Sequence, residues 1–511
     1  MQVIGEGIKG GIKVSGNLFL TDYYELTCGR VNHKFDRNQE VTQTYFYRRC
    51  PYSQYMLAVG QHKFIDYVLE LNEGTLTEDH IKWLERTSGG DMPEEFLDYL
   101  ASFKFDGEIT GVDVGTPMFP NESIINVTGK NINVQILETY LLHAMNTMSP
   151  VATEAQRLRT VAKKRSVVDF GARRSFNPMW TAEASYIGGT DGTSLVKAGY
   201  EYDMPYVGTI SHAFIQSRWD GQMSFSDSEL LAFREYAEVY PHNCILLVDT
   251  YNTMAGVLNA IIVARELRQK GYELKGIRLD SGDLITLSKL ARIWLDETGF
   301  ENVKIYLSDG INALGAKKLI RGGARADGFG CGTRLVHPPP LGGVFKLVQI
   351  GNIPYMKFTD NKAKMTIPMK RQVWRSIDFR GHANHDIQTL WDEAELALTE
   401  YKPLHRYLWR QGGPDYDFPS VKEMRTYTIG QMKMMKSFVT EVFDPKSSMK
   451  PAPYKVYKSK KLEEIIGFLV SKYKGEFPKP KNPRDDWKER MEEVLDKNEE
   501  IMTRDMSPDH R

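Results

Sequence analysis

The sequence has few cysteines, no excess of either charge and no long apolar run. Only four of its 511 residues are cysteine, and none lies in the Cys-x-x-Cys spacing of a zinc site, so we expect a reducing compartment without disulfides. Lysine plus arginine and aspartate plus glutamate both number 66, which lacks the basic excess typical of nucleic-acid-binding proteins. No apolar run reaches the roughly 18 residues of a membrane span, and glycine and lysine interrupt the N-terminus where an export signal needs apolar residues. We therefore expect a cytoplasmic protein that binds neither nucleic acid nor membranes.

The chain has three regions with different sequence patterns. Residues 1–150 mix helical and strand patterns, residues 151–345 alternate short apolar strands with amphipathic helices, and residues 346–511 end in a charged tail. Outside the middle region we predict a strand at 43–49, short strands within 107–129, and helices at 55–71, 134–148, 462–473 and 487–500.

The middle region indicates repeated βα units. Its predicted strands are 166–171, 207–215, 244–250, 276–280, 303–308 and 326–332, with helices at 254–270 and 284–297 among the segments between them. Strand followed by helix at roughly 30-residue spacing is typical of a parallel sheet, closed into a barrel or open. Nearly every strand ends in a polar or glycine-rich cluster: FGARR, GTISH, VDTYN, RLDSGD, LSDG and GFGCGT. Ligands bind at the carboxyl ends of parallel strands in both architectures, so we expect the functional site there.

Two of these clusters can bind an anion. The segment 328–334 combines glycines with a threonine and an arginine, a composition suited to phosphate oxygens but equally to a structural turn. Arg278 and Asp280 lie two residues apart on a strand and therefore share a face. They can hold an anion and sugar hydroxyls, or form an ordinary structural ion pair.

His212 is the histidine that this organisation singles out. It lies near the end of the predicted strand 207–215 among small residues, and Asp249 at the end of the next predicted strand can accept its second ring N–H. Such a pair fixes the tautomer and makes the other ring nitrogen a better nucleophile.

Taken together, the strand-end segments resemble those of nicotinate phosphoribosyltransferases. The matching segments are TDYYELT (21–27), FYRRCPY (46–52), FGARR (170–174), YIGGTDGTS (186–194), GTISHAF (208–214), LLVDTYNT (246–253), RLDSGDL (278–284) and FGCGTRLV (329–336). The resemblance runs from about residue 20 to 460 in the family's order. It implies an α/β fold: an irregular parallel α/β barrel of the type II phosphoribosyltransferase kind at 151–345, and an α+β domain in which 346–511 packs back on 1–150.

The resemblance also assigns an activity and residue roles. The family transfers the phosphoribosyl group of phosphoribosyl pyrophosphate to nicotinate for NAD salvage, with Mg²⁺ on the diphosphate, and most members couple this to ATP hydrolysis through a phosphohistidine. By motif, His212 is that histidine, Asp249 supports it, and Tyr24 stacks on the nicotinate ring from the second subunit of a homodimer. The remaining substrate-binding residues are Arg173, Arg278 and Thr209 at the nicotinate, Asp280 at the ribose, and Asp309, Gly310, Gly330, Gly332 and Thr333 around the 5-phosphate. No protein ligand of the metal is assigned.

Three rival functions remain open. The nicotinamide-specific relatives read RPDSGD where this chain has Leu279, and carry an aspartate where Leu195 aligns, although Asp191 lies close by. A phosphosugar lyase or isomerase is expected to show a Schiff-base lysine or a metal-ligand cluster at the strand ends, and neither is seen. A non-catalytic homologue is expected to have lost some of the predicted site residues. His212, Asp249, Arg278 and Asp280 are all present here.

Overall fold

The computed structural model describes residues 17–50, 52–74, 76–359, 361, 364–393, 400–476 and 491. The chain divides into two units, Met1–Ser459 and Lys460–Arg511. Among the described residues, all four cysteines are free thiols, and no helix is both long enough and apolar enough to cross a membrane.

The described helices and strands have the following bounds. The helices are α1 Tyr23–Lys34, α2 Gln61–Asn72, α3 Glu78–Thr87, α4 Glu94–Ala101, α5 Asn131–Ile136, α6 Glu138–Ala162, α7 Pro178–Gly188, α8 Val196–Tyr202, α9 His212–Gln216, α10 Phe225–Val239, α11 Thr253–Gln269, α12 Leu284–Glu297, α13 Ala313–Arg321, α14 Thr333–Val336, α15 Val421–Met434, α16 Ser437–Thr440 and α17 Lys460–Glu476. The strands are β1 Glu40–Tyr47, β2 Met56–Ala58, β3 Glu108–Val112, β4 Thr116–Met118, β5 Ile125–Lys130, β6 Ser166–Asp169, β7 Gly192–Thr193, β8 Ile245–Leu247, β9 Gly276–Leu279, β10 Lys304–Leu307, β11 Gly328–Cys331, β12 Gly343–Ile350, β13 Ile353–Pro354, β14 Arg371–Ile377, β15 Ala383–Leu390, β16 Tyr401–Pro403, β17 His405–Arg410, β18 Gly413–Pro414 and β19 Val456–Lys458.

An antiparallel sheet of seven strands joins the two ends of the sequence. Its order is β13-β12-β1-β5-β3-β17-β18. Strand β1 pairs with β12 on one side and β5 on the other, and β17 pairs with β3, so later segments complete a sheet that the first 130 residues begin. Its buried faces and helices α1 to α6 share one apolar core that includes Tyr45, Phe345 and Trp409. Strands β14, β15, β16 and β19 form a further sheet of four.

A parallel sheet of six strands carries the strand-end clusters. Its order is β7-β6-β11-β10-β9-β8, and every pair in it is parallel. Helices α11, α12 and α13 lie between successive strands from β8 to β11 and share a second apolar core with the strands. Because the strands are parallel, all their carboxyl ends lie along one edge of the sheet.

This parallel sheet curls into a half-barrel. Ile245 belongs to β8 at one edge of the sheet, and the N–H of Val207 bonds to the carbonyl of Thr193 in β7 at the other edge. Ile245 and Val207 nevertheless line the same cavity, so the two edges face each other. Among the described residues β7 and β8 do not pair, and the curl stays open. The expected α/β fold with a parallel barrel-like sheet is thus confirmed as a curled, mixed α/β architecture.

One predicted strand is wrong, and one predicted helix begins too early. The segment 207–215 is not a strand, because the Ser211 side chain accepts a hydrogen bond from the N–H of Phe214 and begins α9 at His212. The predicted helix 55–71 is instead β2 followed by α2. Gly60 separates them with a φ of 130°, and a methyl group there would lie 2.8 Å from a backbone oxygen of α6, so only glycine fits.

The other predicted elements outside the tail agree with the structure. They are the strand at 43–49 (β1), the short strands within 107–129 (β3, β4 and β5), the helix at 134–148 (α5 and α6), the helices at 254–270 and 284–297 (α11 and α12) and the helix at 462–473 (α17). The predicted helix at 487–500 lies outside the described residues, apart from residue 491.

Candidate active site

A cavity of about 210 Å³ lies inside the curl of the parallel sheet. Alternate residues of a strand share a face, so the inward face of β6 supplies Val168 and, just beyond its end, Phe170. Thr209, Arg278 and Gly330 line the same cavity. Three of the predicted substrate residues therefore meet in one apolar-walled space.

Arg278 is the main cationic group in this cavity. Its Nη1 donates to Thr209 Oγ1 at 2.7 Å, and its guanidinium carbon lies 5.8 Å from the centre of the Phe170 ring. Its Nε is buried without a hydrogen-bond partner among the described residues. Burial lowers the pKa of Arg278, with Asp280 and Asp249 opposing this shift. The positive charge of Arg173 also lowers it, although Arg173 is exposed and is not among the residues that line the cavity.

Gly330 lies in the wall of the cavity. It belongs to β11, and a methyl group on it would lie 2.5 Å from the Phe170 ring. Its missing side chain therefore makes room for that ring, and Gly330 lines the cavity. Its contact with the 5-phosphate stays a prediction.

The side chain of Asp280 interacts with both His212 and the end of the parallel sheet. Its Oδ2 lies 3.8 Å from His212 Nε2, and its Oδ1 accepts a hydrogen bond from the hydroxyl of Ser308 at the end of β10. The imidazole of His212 is about 40% exposed, so it remains accessible from solvent. His212 and Asp280 can thus act on the same reacting group.

Thr250, and not Asp249, is the hydrogen-bond partner of the imidazole. His212 Nδ1 lies 3.1 Å from Thr250 Oγ1. Asp249 Oδ2 instead accepts from the N–H of Asp280 at 3.1 Å and from the hydroxyl of Ser281 at 2.5 Å, while its Oδ1 is buried without a partner among the described residues. The predicted His212–Asp249 pair is therefore wrong. Asp249 anchors the turn after β9.

Two arginines flank the glycines at the rim of the sheet. A methyl group on Gly310 would lie 3.5 Å from Arg334 Nε, and one on Gly332 would lie 3.9 Å from Arg174 Nη1. Arg334 and Arg174 form no ion pair within the described part of the chain. Exposed guanidinium groups beside open backbone suit a phosphate group.

The backbone after β10 adopts a rare conformation. Asp309 has a φ of 102° and Gly310 a φ of 55°, although Asp309 is not glycine. Such a conformation is costly for a residue with a Cβ and is found mainly at functional sites. Both residues are exposed, and Gly310 lies at the rim beside Arg334.

Several polar residues in or just after the clusters cap helices. The side chains of Asn252, Asp283 and Asn312 accept hydrogen bonds from the first turns of α11, α12 and α13. Such caps satisfy N–H groups that have no partner inside the helix. The second aspartate of RLDSGD is therefore structural, which sequence spacing alone does not reveal.

Tyr24 is not part of the cavity within one chain. It lies on α1, about half exposed, and its hydroxyl interacts with Glu25 of the same helix. Burial of the phenol, together with Glu138 and Glu25, raises the pKa of Tyr24 above its ordinary value. The structure thus leaves this predicted residue apart from the others.

The sequence did not single out four of the residues found here. Phe170, Thr250, Ser308 and Arg174 each lie in a strand-end cluster, next to or near a residue that was predicted. The sequence feature that pointed to these four residues was their place in the strand-end clusters. Their roles depend on which face each residue presents, and this appears only in the folded structure.

Two family models match the chain. They are the nicotinate phosphoribosyltransferase N-terminal domain over residues 19–146 and the nicotinate phosphoribosyltransferase family over residues 165–340. The chain is 34% identical over 370 residues to "Nicotinate phosphoribosyltransferase pncB2" of Mycobacterium tuberculosis, which covers 71% of this chain and 76% of that protein. It is 35% identical over 379 residues to the nicotinate phosphoribosyltransferase of Bacillus subtilis, covering 71% and 74%.

A solved structure shares the fold. The crystal structure of human nicotinic acid phosphoribosyltransferase superimposes with a TM-score of 0.73 at 24% identity, and the match covers 88% of this chain and 99% of the human chain. At this identity the match supports the fold alone.

Proposed function

Since the chain belongs to the nicotinate phosphoribosyltransferase family, we propose that it transfers the 5-phosphoribosyl group of phosphoribosyl pyrophosphate to nicotinate, giving nicotinate mononucleotide and diphosphate for NAD salvage. The observation that carries the proposal is the meeting of Arg278, Thr209 and Phe170 in one cavity, with His212 and Asp280 at the same end of the sheet. The curled sheet is proposed to be the barrel of a type II phosphoribosyltransferase.

The cavity suits a flat anion. The Phe170 ring offers an aromatic face to a pyridine. The Nε of Arg278, which has no hydrogen-bond partner among the described residues, offers a donor to a carboxylate. Arg173 adds a second positive charge nearby. In an apolar-walled space these charges favour nicotinate, which is negative, over neutral nicotinamide.

The aspartate at the cavity does not favour nicotinamide. Asp191 lines the cavity, but its Oδ2 accepts from Arg159 at 2.6 Å and from the backbone of Val167, and its Oδ1 lies 3.4 Å from Arg425. Its charge is therefore balanced by two guanidinium groups. A carboxylate engaged in this way is a poor acceptor for a carboxamide NH₂.

Asp280 and the rim are proposed to hold the sugar phosphate. Asp280 can accept ribose hydroxyls and stabilise the positive charge that develops on the ribose. The 5-phosphate is proposed to lie at Asp309, Gly310, Gly332 and Thr333, with Arg334 and Arg174 supplying charge.

In the proposed reaction, the bond between the anomeric carbon and the diphosphate oxygen breaks, and the nicotinate ring nitrogen forms the new bond to that carbon. The electron pair of the broken bond leaves with the diphosphate. Mg²⁺ enters as the complex of this diphosphate and neutralises its charge, because Mg²⁺ prefers substrate oxygens with few carboxylates. No protein ligand is assigned to it.

ATP is proposed to phosphorylate His212. Thr250 can accept the Nδ1–H, which leaves Nε2 unprotonated to attack the terminal phosphorus. The Nε2–P bond forms as the P–O bond to ADP breaks, and water later releases phosphate. The added negative charge beside Asp280 can order the loops that hold the diphosphate.

A homodimer with shared sites is proposed from exposed apolar surface. On α1 and close to its two ends, Leu20, Tyr24, Val31 and Phe35 follow helical spacing and are each roughly half exposed or more. Tyr206, which adjoins the cavity residue Val207, is also exposed. Burying such faces against a second copy would bring Tyr24 to the partner's nicotinate.

Product analysis tests the proposal. The chain is incubated with phosphoribosyl pyrophosphate, Mg²⁺ and either nicotinate or nicotinamide, with and without ATP, and the nucleotides formed are identified. Nicotinate mononucleotide formed faster with ATP is the expected result. Nicotinamide mononucleotide as the main product, or no nucleotide at all, contradicts it.

A further inference from the structure

Glu154 is a buried carboxylate that connects the long helix α6 to the first turn of α13, and none of the roles above uses it. It lies on α6 and is 1% exposed. Its Oε1 accepts the N–H of Ala313, the first residue of α13, at 2.7 Å. The first N–H groups of a helix have no partner inside it and carry a partial positive charge, so a carboxylate stabilises this end of α13.

The turn that precedes α13 is held at both of its ends. Its central residues are Asp309 and Gly310, whose φ values are both positive. Before them, the hydroxyl of Ser308 bonds to the turn after β9, and after them the N–H of Ala313 bonds to Glu154. A costly backbone conformation persists only where the surrounding structure fixes it. The bond from Glu154 therefore fixes one end of this strained turn.

Arg157 balances the charge of Glu154. Its Nη1 donates to Glu154 Oε2, and its guanidinium carbon lies 5.0 Å from the centre of the Tyr52 ring. Arg157 and Tyr52 are both buried, so the ion pair is fixed between α6 and the segment 46–52. Burial raises the pKa of Glu154, and Arg157 and the N–H of Ala313 oppose that shift. Each carboxylate oxygen thus has a partner of its own.

We propose that Glu154 is a positioning residue, which holds the turn after β10 in the conformation that receives the 5-phosphate. The inference rests on the proposed function, which places the 5-phosphate at Asp309 and Gly310. Glu154 is buried and acts through the N–H of Ala313, without touching the phosphate.

Replacing Glu154 by glutamine separates its two bonds. Glutamine has a single side-chain oxygen, and the charged donor of Arg157 is the stronger competitor for it, so the N–H of Ala313 loses its acceptor. We expect the Kd of ribose 5-phosphate, measured by titration calorimetry, and KM for phosphoribosyl pyrophosphate to rise roughly tenfold, the lower end for losing a hydrogen bond to a charged group. KM for nicotinate should stay the same. A purely structural role would instead reduce the folded fraction, and with it kcat, at constant Kd and KM.

Two double variants without a buried charge test the same bond if Glu154→Gln alone does not fold. Glu154→Gln/Arg157→Met frees the glutamine oxygen to accept from Ala313, whereas Glu154→Leu/Arg157→Met offers no acceptor. Replacing a buried ion pair by uncharged side chains of similar size is usually tolerated. The first double variant should bind ribose 5-phosphate as the unmodified protein does, and the second roughly tenfold more weakly. Equal Kd values in the two double variants overturn the proposal.

The matched control for the single change is Glu122→Gln. Glu122 is also buried and accepts a backbone N–H, that of Phe119, at 2.7 Å. It lies between β4 and β5, outside the parallel sheet, so its replacement should leave the Kd of ribose 5-phosphate unchanged. An equal rise in both variants, or no rise in Glu154→Gln, overturns the proposal.

Hydrogen exchange tests the bond without any ligand. The N–H of Ala313 should exchange roughly tenfold faster in Glu154→Gln than in the unmodified protein, and at an unchanged rate in Glu122→Gln. Unchanged exchange at Ala313 in Glu154→Gln overturns the inference, whatever the activity. The expected faster exchange, together with an unmodified protein that binds no ribose 5-phosphate, contradicts the proposed function alone.

Discussion

The Arg278 guanidinium donates to Thr209 Oγ1 at 2.7 Å and keeps its Nε buried without a partner within the described residues. The Nη1 side of the guanidinium is thus held by the protein, and the Nε side remains available to a ligand. A donor held in this way needs no reorganisation when an anion binds, which is the basis of electrostatic preorganisation.

Replacing Arg278 by lysine should weaken nicotinate binding. Lysine keeps the charge but lacks the planar guanidinium that donates to Thr209 from one nitrogen and presents another to the substrate. Loss of a charged hydrogen bond of about 1.5–3 kcal/mol predicts a rise of roughly 10- to 150-fold in KM for nicotinate. Steady-state kinetics with each substrate varied in turn measures this.

The control for this change is Arg268→Lys. Arg268 pairs with Glu273 outside the cavity, so its replacement should leave KM for nicotinate unchanged. If both variants have the same nicotinate KM, Arg278 does not bind the substrate carboxylate.

Thr250→Val should impair the coupling to ATP more than the transfer itself. Valine has the shape of threonine but cannot accept the Nδ1–H of His212, so the imidazole loses its fixed tautomer. We expect the formation of acid-labile phosphohistidine to slow by up to about tenfold, the upper range for losing one neutral hydrogen bond, because this bond is only partly buried. Transfer without ATP should change little.

Two further variants serve as controls, one that should lose phosphorylation and one that should keep it. His212→Ala should abolish phosphorylation completely. Thr298→Val removes a hydroxyl that bonds to Trp294 at the far end of α12 and should have no effect. Normal phosphorylation of Thr250→Val would show that the tautomer is fixed by another group.

Asp169 should make the stability of the chain depend on pH. It is fully buried at the end of β6 and accepts from the N–H of Gly171, and burial raises its pKa to about 6 despite this bond. Because the folded-state pKa lies above the unfolded one, the stabilisation is fully present below about pH 4 and is lost as the pH rises through about 6. The shift from 3.8 to about 6 corresponds to roughly 3 kcal/mol.

Asp169→Asn should therefore remove this part of the pH dependence. The neutral amide can still accept from Gly171, and the neighbouring hydroxyls can rotate to meet its NH₂ group. Urea unfolding between pH 4 and pH 7 measures the difference between the two proteins. Asp203→Asn is the control, since Asp203 is exposed and its φ of 49° is one that asparagine tolerates. A parallel decline in the Asp169 variant and the unmodified protein would contradict the assignment.

Local sequence signals predicted most of the parallel sheet and its helices. The apolar runs at β8, β9, β10 and β11 were found within a few residues, and the predicted bounds of α12 agree with the observed ones, because each element has a clear period and a polar boundary. The pairing of β11 with β6, more than a hundred residues earlier, was not predicted, because no local sequence signal specifies which distant strands become neighbours.

Individual partners within the site were less predictable. Asp249 and Thr250 are adjacent in sequence, yet one anchors the turn at Asp280 and the other bonds to His212. Which of two neighbours faces the imidazole depends on the direction of the loop after β8. The predicted strand 207–215 was wrong for a related reason: the capping bond of Ser211 outweighs the β-prone run before it.

Shared sites predict complementation between two inactive variants. Tyr24 lies on α1 and does not line the cavity of its own chain, whereas His212 lies beside that cavity's end of the sheet. If Tyr24 acts in the partner's site, a mixed dimer of Tyr24→Ala and His212→Ala contains one site with both changes and one site with neither. Random mixing should then restore about a quarter of the activity with ATP, since half of the dimers are mixed and each has one intact site.

The mixing experiment needs two controls and a mass measurement. Each variant alone, denatured and renatured in the same way, should stay inactive, and the mass in solution should be that of a dimer. Mixing Arg278→Gln with His212→Ala should restore nothing, because both residues belong to the same chain's site and every site in a mixed dimer then carries one change. Equal recovery in both mixtures would mean that subunits exchange function by another route, and no recovery in the Tyr24 mixture would place Tyr24 outside the partner's site.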